Sequence, residues 1–153
     1  MNIKIIAVGK INKNYLQLGI NDYLKRLKPY NNIEIIEIKE ITTNDLNKNL
    51  QEEEKLIINH LKKDDYIISL ALEGKMLSSC ELANLINKTQ TYQTSQIVFV
   101  IGGSLGLGKQ IKARSDLLLS FGNITYPHQL VRLILLEQLY RASTIIKEQK
   151  YHK

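Results

Sequence analysis

The chain has one cysteine, Cys80, in 153 residues, so it cannot close an intrachain disulfide. An intrachain disulfide is excluded as a source of stability, and a reducing compartment suits the composition. No apolar run approaches the roughly 20 residues of a membrane-spanning helix. The N-terminus passes directly into a short strand-like run, Ile3 to Val8, without an apolar signal core and cleavage site, so a cytoplasmic protein is expected. No internal repeat, low-complexity tract or linker interrupts the sequence. One domain over residues 1–153 is expected. A domain of this size buries about 68–70% of the surface its unfolded chain exposes, so it needs no metal to fold.

What is present is charge, unevenly placed. The net charge is +6. Residues 1–28 carry six Lys/Arg against one Asp, residues 29–60 seven Asp/Glu against three Lys, and the last thirteen residues four Lys/Arg against one Glu. Basic ends around an acidic middle point to a phosphate-rich partner, although a solvated surface with extra lysines has the same composition.

Five strand-like runs alternate with helical stretches: Ile3–Val8, Ile33–Ile38, Tyr66–Leu72, Gln96–Ile101 and Leu117–Phe121. The third is nearly all apolar, as a strand buried on both faces would be. Helical spacing of apolar residues predicts helices near 15–27, 46–61 and 78–88, a short one after the fourth strand, and a last one from about Pro127 to Lys147. Pro127 suits a first helical turn, and Thr125 is placed to cap it. Alternation of this kind implies an α/β protein, a parallel sheet with helices on both faces. Ligands of such sheets sit beyond the carboxyl ends of the strands.

Three loops follow strands there: Leu70 to Lys75, Ile101 to Gly108, and Phe121 to Pro127. The second holds four glycines in seven residues, which lets a ligand approach the main chain closely. Gly103 to Lys109 has the spacing of a phosphate-binding loop, so a nucleotide-triphosphate enzyme has to be weighed. Gln110 stands where that motif needs a Ser or Thr for magnesium. The dinucleotide spacing fails as well, because Ile111 replaces the third glycine.

The last helix is apolar on more than one face, from Leu130 to Ile146. A helix lying on a sheet needs only one apolar stripe. A second subunit covering the other face, in a homodimer, is therefore expected. Arg132, Glu137 and Arg141 would then lie at the rim or reach the site.

Six segments occur in register: Ile-Ala-Val-Gly-Lys near the N-terminus, Glu-Gly-Lys-Met-Leu-Ser-Ser, Phe-Val-Ile-Gly-Gly-Ser-x-Gly-Leu, Thr-Tyr-Pro-His-Gln-Leu-Val-Arg, Glu-Gln-Leu-Tyr-Arg-Ala and the terminal Tyr-His-Lys. Together they closely resemble the ribosomal RNA large subunit methyltransferase H family of the SPOUT class, whose members methylate N3 of a pseudouridine. The resemblance spans the chain. It implies a C-terminal trefoil knot, which periodicity could not predict. It also implies S-adenosylmethionine as cofactor, a homodimer with active sites at the subunit interface, and as substrate a pseudouridine in the helix 69 loop of 23S rRNA, read on assembled ribosomes with the large subunit or the 70S ribosome as partner; no metal is expected. The cofactor residues it implies are Leu70, Gly102, Phe121, Gly122, Asn123, Ile124, Thr125 and Tyr126, with Leu72 and Gly103 as further candidates beside them. Some members end in Tyr-His-Arg; Lys153 keeps the charge but loses the guanidinium fork.

N3 of a pseudouridine loses a proton on methylation, so a base or an anion-stabilising group is needed. His128 and His152 are the candidates, each with a plainly structural alternative. Lys13, Arg26, Arg132, Tyr151 and Lys153 are candidates for RNA contact, with Tyr151 able to stack on a base. Lys10, Lys25 and Lys28 add to the basic surface. A non-enzymatic RNA-binding module is the remaining alternative.

Overall fold

Strands and helices alternate strictly along the chain. The computed structural model describes residues 2–92 and 96–153. It runs β1 (Asn2–Val8), α1 (Asn14–Leu27), β2 (Asn32–Ile38), α2 (Leu46–Ile58), β3 (Tyr66–Met76), α3 (Ser79–Tyr92), β4 (Gln96–Ile101), α4 (Lys109–Arg114), β5 (Leu117–Ser120) and α5 (His128–Ile146). The five strands form one sheet in the order β2-β1-β4-β3-β5, every neighbouring pair parallel.

Successive strand side chains point to opposite faces, so a strand covered on both sides is apolar throughout. Ile3, Ile5, Ile97, Phe99 and Ile101 pack toward α1, α3 and α5. Ile6, Val8, Val98 and Val100 pack toward α2 and α4 through Ile57 and Ile111. Lys4 interrupts this pattern. Its buried ammonium donates to the His60 carbonyl at 3.2 Å, just past the end of α2, where helix carbonyls lack partners. One of the N-terminal cations is thus inside the protein.

β3 is longer than its apolar run. Its register shifts so that Leu70 and Lys75 both pair with Leu119 of β5, and the strand continues to Met76. Gly74 permits this return, because a Cβ there would lie 2.6 Å from the Leu118 carbonyl carbon. Burial on both faces holds for Ile67 to Ser69 only, and Leu72 is 54% exposed. α3 opens with reciprocal caps: Ser78 N–H donates to Glu81 Oε2 at 2.7 Å, and Glu81 N–H to Ser78 Oγ at 3.1 Å. The Ser78 backbone and hydroxyl hold the Glu81 carboxyl below its ordinary range.

Two expectations about α5 change. Its N-cap residue is Pro127, with no side-chain cap, and Thr125 is exposed. The apolar faces of α5 do not require a second subunit either. α5 packs against both α1 and α3, and no residue from His128 to Ile146 is exposed. A helix between two others on a sheet is covered on three sides by its own chain. Leu130 and Ile134 stay half-buried.

Candidate active site

The loops after β3, β4 and β5 enclose one largely apolar cleft at the carboxyl edge of the sheet. Leu70 to Leu72 form one wall, Gly102, Gly103 and Gly106 a second, and Phe121, Gly122 and Ile124 to Tyr126 a third. His128 and Val131 on the first turn of α5 complete it. Of the cofactor candidates only Asn123 lies outside the lining, on the exposed tip of the third loop.

Local chemistry shapes each wall. The glycine loop closes on itself through a Gly103–Gly106 bridge, with Gly106 N–H donating to Gly103 O at 3.0 Å. A Cβ on Gly102 would lie 2.5 Å from Gly106 O, so only glycine allows this closure. After β5, the Ser120 hydroxyl accepts from Gly122 N–H and donates to Gly122 O, both at 3.1 Å. Gly122 itself has φ +112°, a conformation side chains disfavour. Leu72 and Ile124 stand at the mouth, 54% and 68% exposed.

The phosphate-loop reading fails on geometry. The N-terminus of α4 already holds a carboxylate: Glu54 Oε2 accepts from Ile111 N–H at 3.0 Å. A Cβ on Gly108 would lie 2.2 Å from that oxygen. Gly108 makes room for Glu54, and a fixed negative charge there repels phosphate.

His128 sits where the cleft meets the end of β1. Its Nε2 is 3.3 Å from where a Cβ on Gly9 would be, and Gly9 turns away with φ +92°. One turn further along α5, Arg132 is 3% exposed. It donates to Glu37 Oε2 at 2.6 Å and to Gly9 O at 3.1 Å. Arg132 is therefore not a surface contact for RNA. It ties the turn after β1 and the end of β2 to α5, beside His128. Glu53 of α2 is buried nearby. It accepts from Ile41 N–H at 2.9 Å, and its other oxygen is unpartnered. Burial pushes its carboxyl up, the Ile41 N–H works against this, and the charges of Glu40 and His128 act in opposite directions on it. Neither Glu37 nor Glu53 was legible as a neighbour of the site, since an acid in an edge strand, or one of three successive glutamates in a polar helix, reads as solvated.

The remaining candidates divide into two groups. Lys10 and Lys13 are exposed at the start of α1, near the carboxyl edge of the sheet. Arg26 lies at the far end of α1, paired with Asp22 at 3.0 Å and set over Tyr23 and Tyr140 at 5.6 and 5.8 Å. Tyr151 joins that aromatic group, edge-on to Tyr140 with centroids 4.7 Å apart and with Arg141 4.8 Å above its ring. Within one chain its ring is engaged and not free to stack on a base. His152 and Lys153 are exposed beside it, His152 within 3.3 Å of Arg141. Arg141 is thirteen residues along α5 from His128, about 20 Å at about 1.5 Å per residue. The two histidines of one chain cannot share a reacting atom.

A parallel α/β sheet whose strand-end loops enclose an apolar cleft defines an α/β protein with a ligand-binding cleft. The family model described as "Predicted SPOUT methyltransferase" matches residues 1–152. A "Ribosomal RNA large subunit methyltransferase H" of Carboxydothermus hydrogenoformans is 45% identical over 159 aligned positions, covering 100% of both chains. The protein of the same name from Bacillus pumilus is also 45% identical, again covering 100% of both. A solved structure of a "probable methylase family protein" from Haemophilus influenzae superposes with a TM-score of 0.54 over 99% of this chain and 70% of that one; at 12% identity it speaks for the fold alone. The chain belongs to the ribosomal RNA large subunit methyltransferase H family of SPOUT methyltransferases.

Proposed function

We propose that this protein transfers a methyl group from S-adenosylmethionine to N3 of a pseudouridine in the helix 69 loop of 23S rRNA, on the assembled ribosome. The observation that carries this reading is the meeting of three loops, at Leu70, Gly102 and Phe121 to Tyr126, around one apolar cleft with His128 on its wall.

The lining suits the cofactor. Gly102 and Gly122 keep main-chain groups bare of side chains, and Leu70, Leu72 and Phe121 offer an apolar bed for an adenine. Backbone groups of Gly102 and of the 121–126 loop would hold adenine and ribose, with Gly103, Asn123, Ile124, Thr125 and Tyr126 closing the site. The bound cofactor supplies an electrophilic methyl carbon. The chain's own part is alignment, exclusion of water and proton handling. In this reading His128, on the cleft wall, takes the N3 proton.

In this reading the protein is a homodimer, and the subunit interface completes each site. One chain cannot bring its own tail to its own cleft, because Arg141 and His128 are about 20 Å apart along α5. A second copy supplies His152 and Lys153. The C-terminal trefoil knot of the SPOUT class belongs to the same proposal, as does a cytoplasmic place of work. Lys10, Lys13 and the basic tail dock the ribosome.

Calorimetric titration with S-adenosylmethionine and with ATP–Mg²⁺ separates the readings. Binding of the first alone is expected. Binding of ATP–Mg²⁺ alone would restore the phosphate-loop enzyme, and binding of neither would leave an RNA-binding module. Mass mapping of 23S rRNA from a deletion strain is expected to show one pseudouridine in helix 69 short of a methyl group.

A further inference from the structure

The C-terminal tail is seated by hydrogen bonds whose direction follows atom by atom. A guanidinium can only donate. Arg141 donates through Nε and Nη2 to Glu137 Oε1, at 3.0 and 2.5 Å. Its Nη1 lies 3.3 Å from His152 Nδ1. That nitrogen must present a lone pair. A neutral imidazole with a bare Nδ1 carries its proton on Nε2. His152 Nε2–H therefore donates to Cys80 Sγ, 3.6 Å away. The reverse, with the Cys80 thiol donating to a bare Nε2, would put N–H on Nδ1 against an arginine donor, and an imidazolium would do the same. The same Glu137 Oε1 accepts from Tyr151 O–H at 3.2 Å, so Tyr23 donates to the Tyr151 oxygen at 3.3 Å. The groups around the imidazole are Arg141 and Glu137 from α5, Cys80 from α3 and Tyr151 of the tail.

We infer that Arg141 is a positioning residue that holds His152 as the neutral Nε2–H tautomer, and that His152 serves methyl transfer as a hydrogen-bond donor to an exocyclic carbonyl oxygen of the target base, not as the proton acceptor. The role assigned to His152 rests on the methyl-transfer reading; the tautomer does not. A thiol sulfur is a weak acceptor. Cys80 and His152 are both exposed, so the Nε2–H can exchange sulfur for a stronger carbonyl acceptor. In the reaction the electron pair of the N3–H bond becomes the new N3–CH₃ bond, and the cofactor sulfur keeps the pair of the broken C–S bond. The proton goes to another acceptor, for which His128 on the cleft wall is placed. Charge that builds on N3 spreads to the flanking carbonyl oxygens. A fixed N–H donor there is worth roughly 10²–10³ in rate.

Long-range ¹H–¹⁵N spectra of the histidine-labelled full chain test the tautomer, with H152Q identifying the signals. The Nε2–H pattern is expected near neutral pH; a dominant Nδ1–H or doubly protonated ring would overturn the inference. R141K keeps a donor-only cation and should preserve the pattern. R141Q can also accept and should release it, and an unchanged ratio in R141Q would remove Arg141 from the role. C80A should leave the tautomer as it is. In single-turnover methylation, H152A should lose about 100-fold, while H152Q, which keeps an N–H donor but no base, should lose less than about tenfold. Equal losses would overturn the donor role. If the wild-type chain neither binds S-adenosylmethionine nor methylates, the proposed function fails while the spectra still decide the tautomer.

Discussion

Arg132 holds Glu37 and the Gly9 carbonyl at once, at 2.6 and 3.1 Å, from a position 3% exposed. The chain joins residues 95 positions apart through this one side chain. Breaking a buried ion pair by removing one partner costs about 3–5 kcal/mol. The Glu37 side chain is 39% exposed and regains water, so the lower end applies. R132A is expected to lower stability by about 3 kcal/mol, read as the urea midpoint at an unchanged slope. Wild-type stability with weakened RNA binding would instead make Arg132 an RNA contact.

Gly74 lets β3 return to β5 across a backbone separation that no Cβ tolerates. G74A should push the 71–74 segment off Leu118 and move the Leu70–Leu72 wall of the cleft. Overpacking of this kind costs about 1–3 kcal/mol. Calorimetry should show S-adenosylmethionine affinity falling by at least about tenfold. Undiminished affinity in G74A would show that this return does not set the wall.

Glu53 gives a pH signature. Burial raises its carboxyl above the ordinary value of 4.5, so the folded chain holds that proton more tightly than the unfolded chain. Its contribution is fully present below about 4.5 and is lost as pH rises through the raised value. E53Q keeps an oxygen for the Ile41 N–H and removes the charge. The variant should be more stable than wild type at neutral pH and flatter over the window just above 4.5. A parallel pair of stability curves would contradict the burial argument.

The exposed cations at the start of α1 should carry part of the docking energy. Affinity for ribosomal particles should fall linearly on a log–log plot against salt, and replacing Lys10 and Lys13 by alanine should reduce the slope by about 1–2. R132A should leave that slope unchanged. Flat salt dependence in the wild type would remove the phosphate-docking role.

Much of this architecture is readable from residue order. Apolar runs separated by amphipathic stretches dictate a parallel α/β sheet, because a strand such as Gln96–Ile101 can be apolar throughout only if both its faces are covered. Glycine and turn residues directly after such strands mark the cleft loops, since ligands reach the main chain at strand ends. These are local signals, carried by neighbours in sequence.

Only the tertiary structure decided which charges are inside and what covers α5. Arg132, Lys4 and Glu54 carry the residue types of a surface, and their partners lie more than fifty residues away; Glu53 meets the Ile41 N–H from twelve residues further along the chain. A charge is buried when a distant acceptor or donor meets it, and nothing in its immediate neighbours records that. The apolar excess of α5 reads as an oligomer face until α1 and α3 are seen on either side of it. His128 and His152 look like equivalent candidates in a one-dimensional chain; His128 opens α5, while His152 lies beside Arg141, which the rise of the helix sets about 20 Å further along.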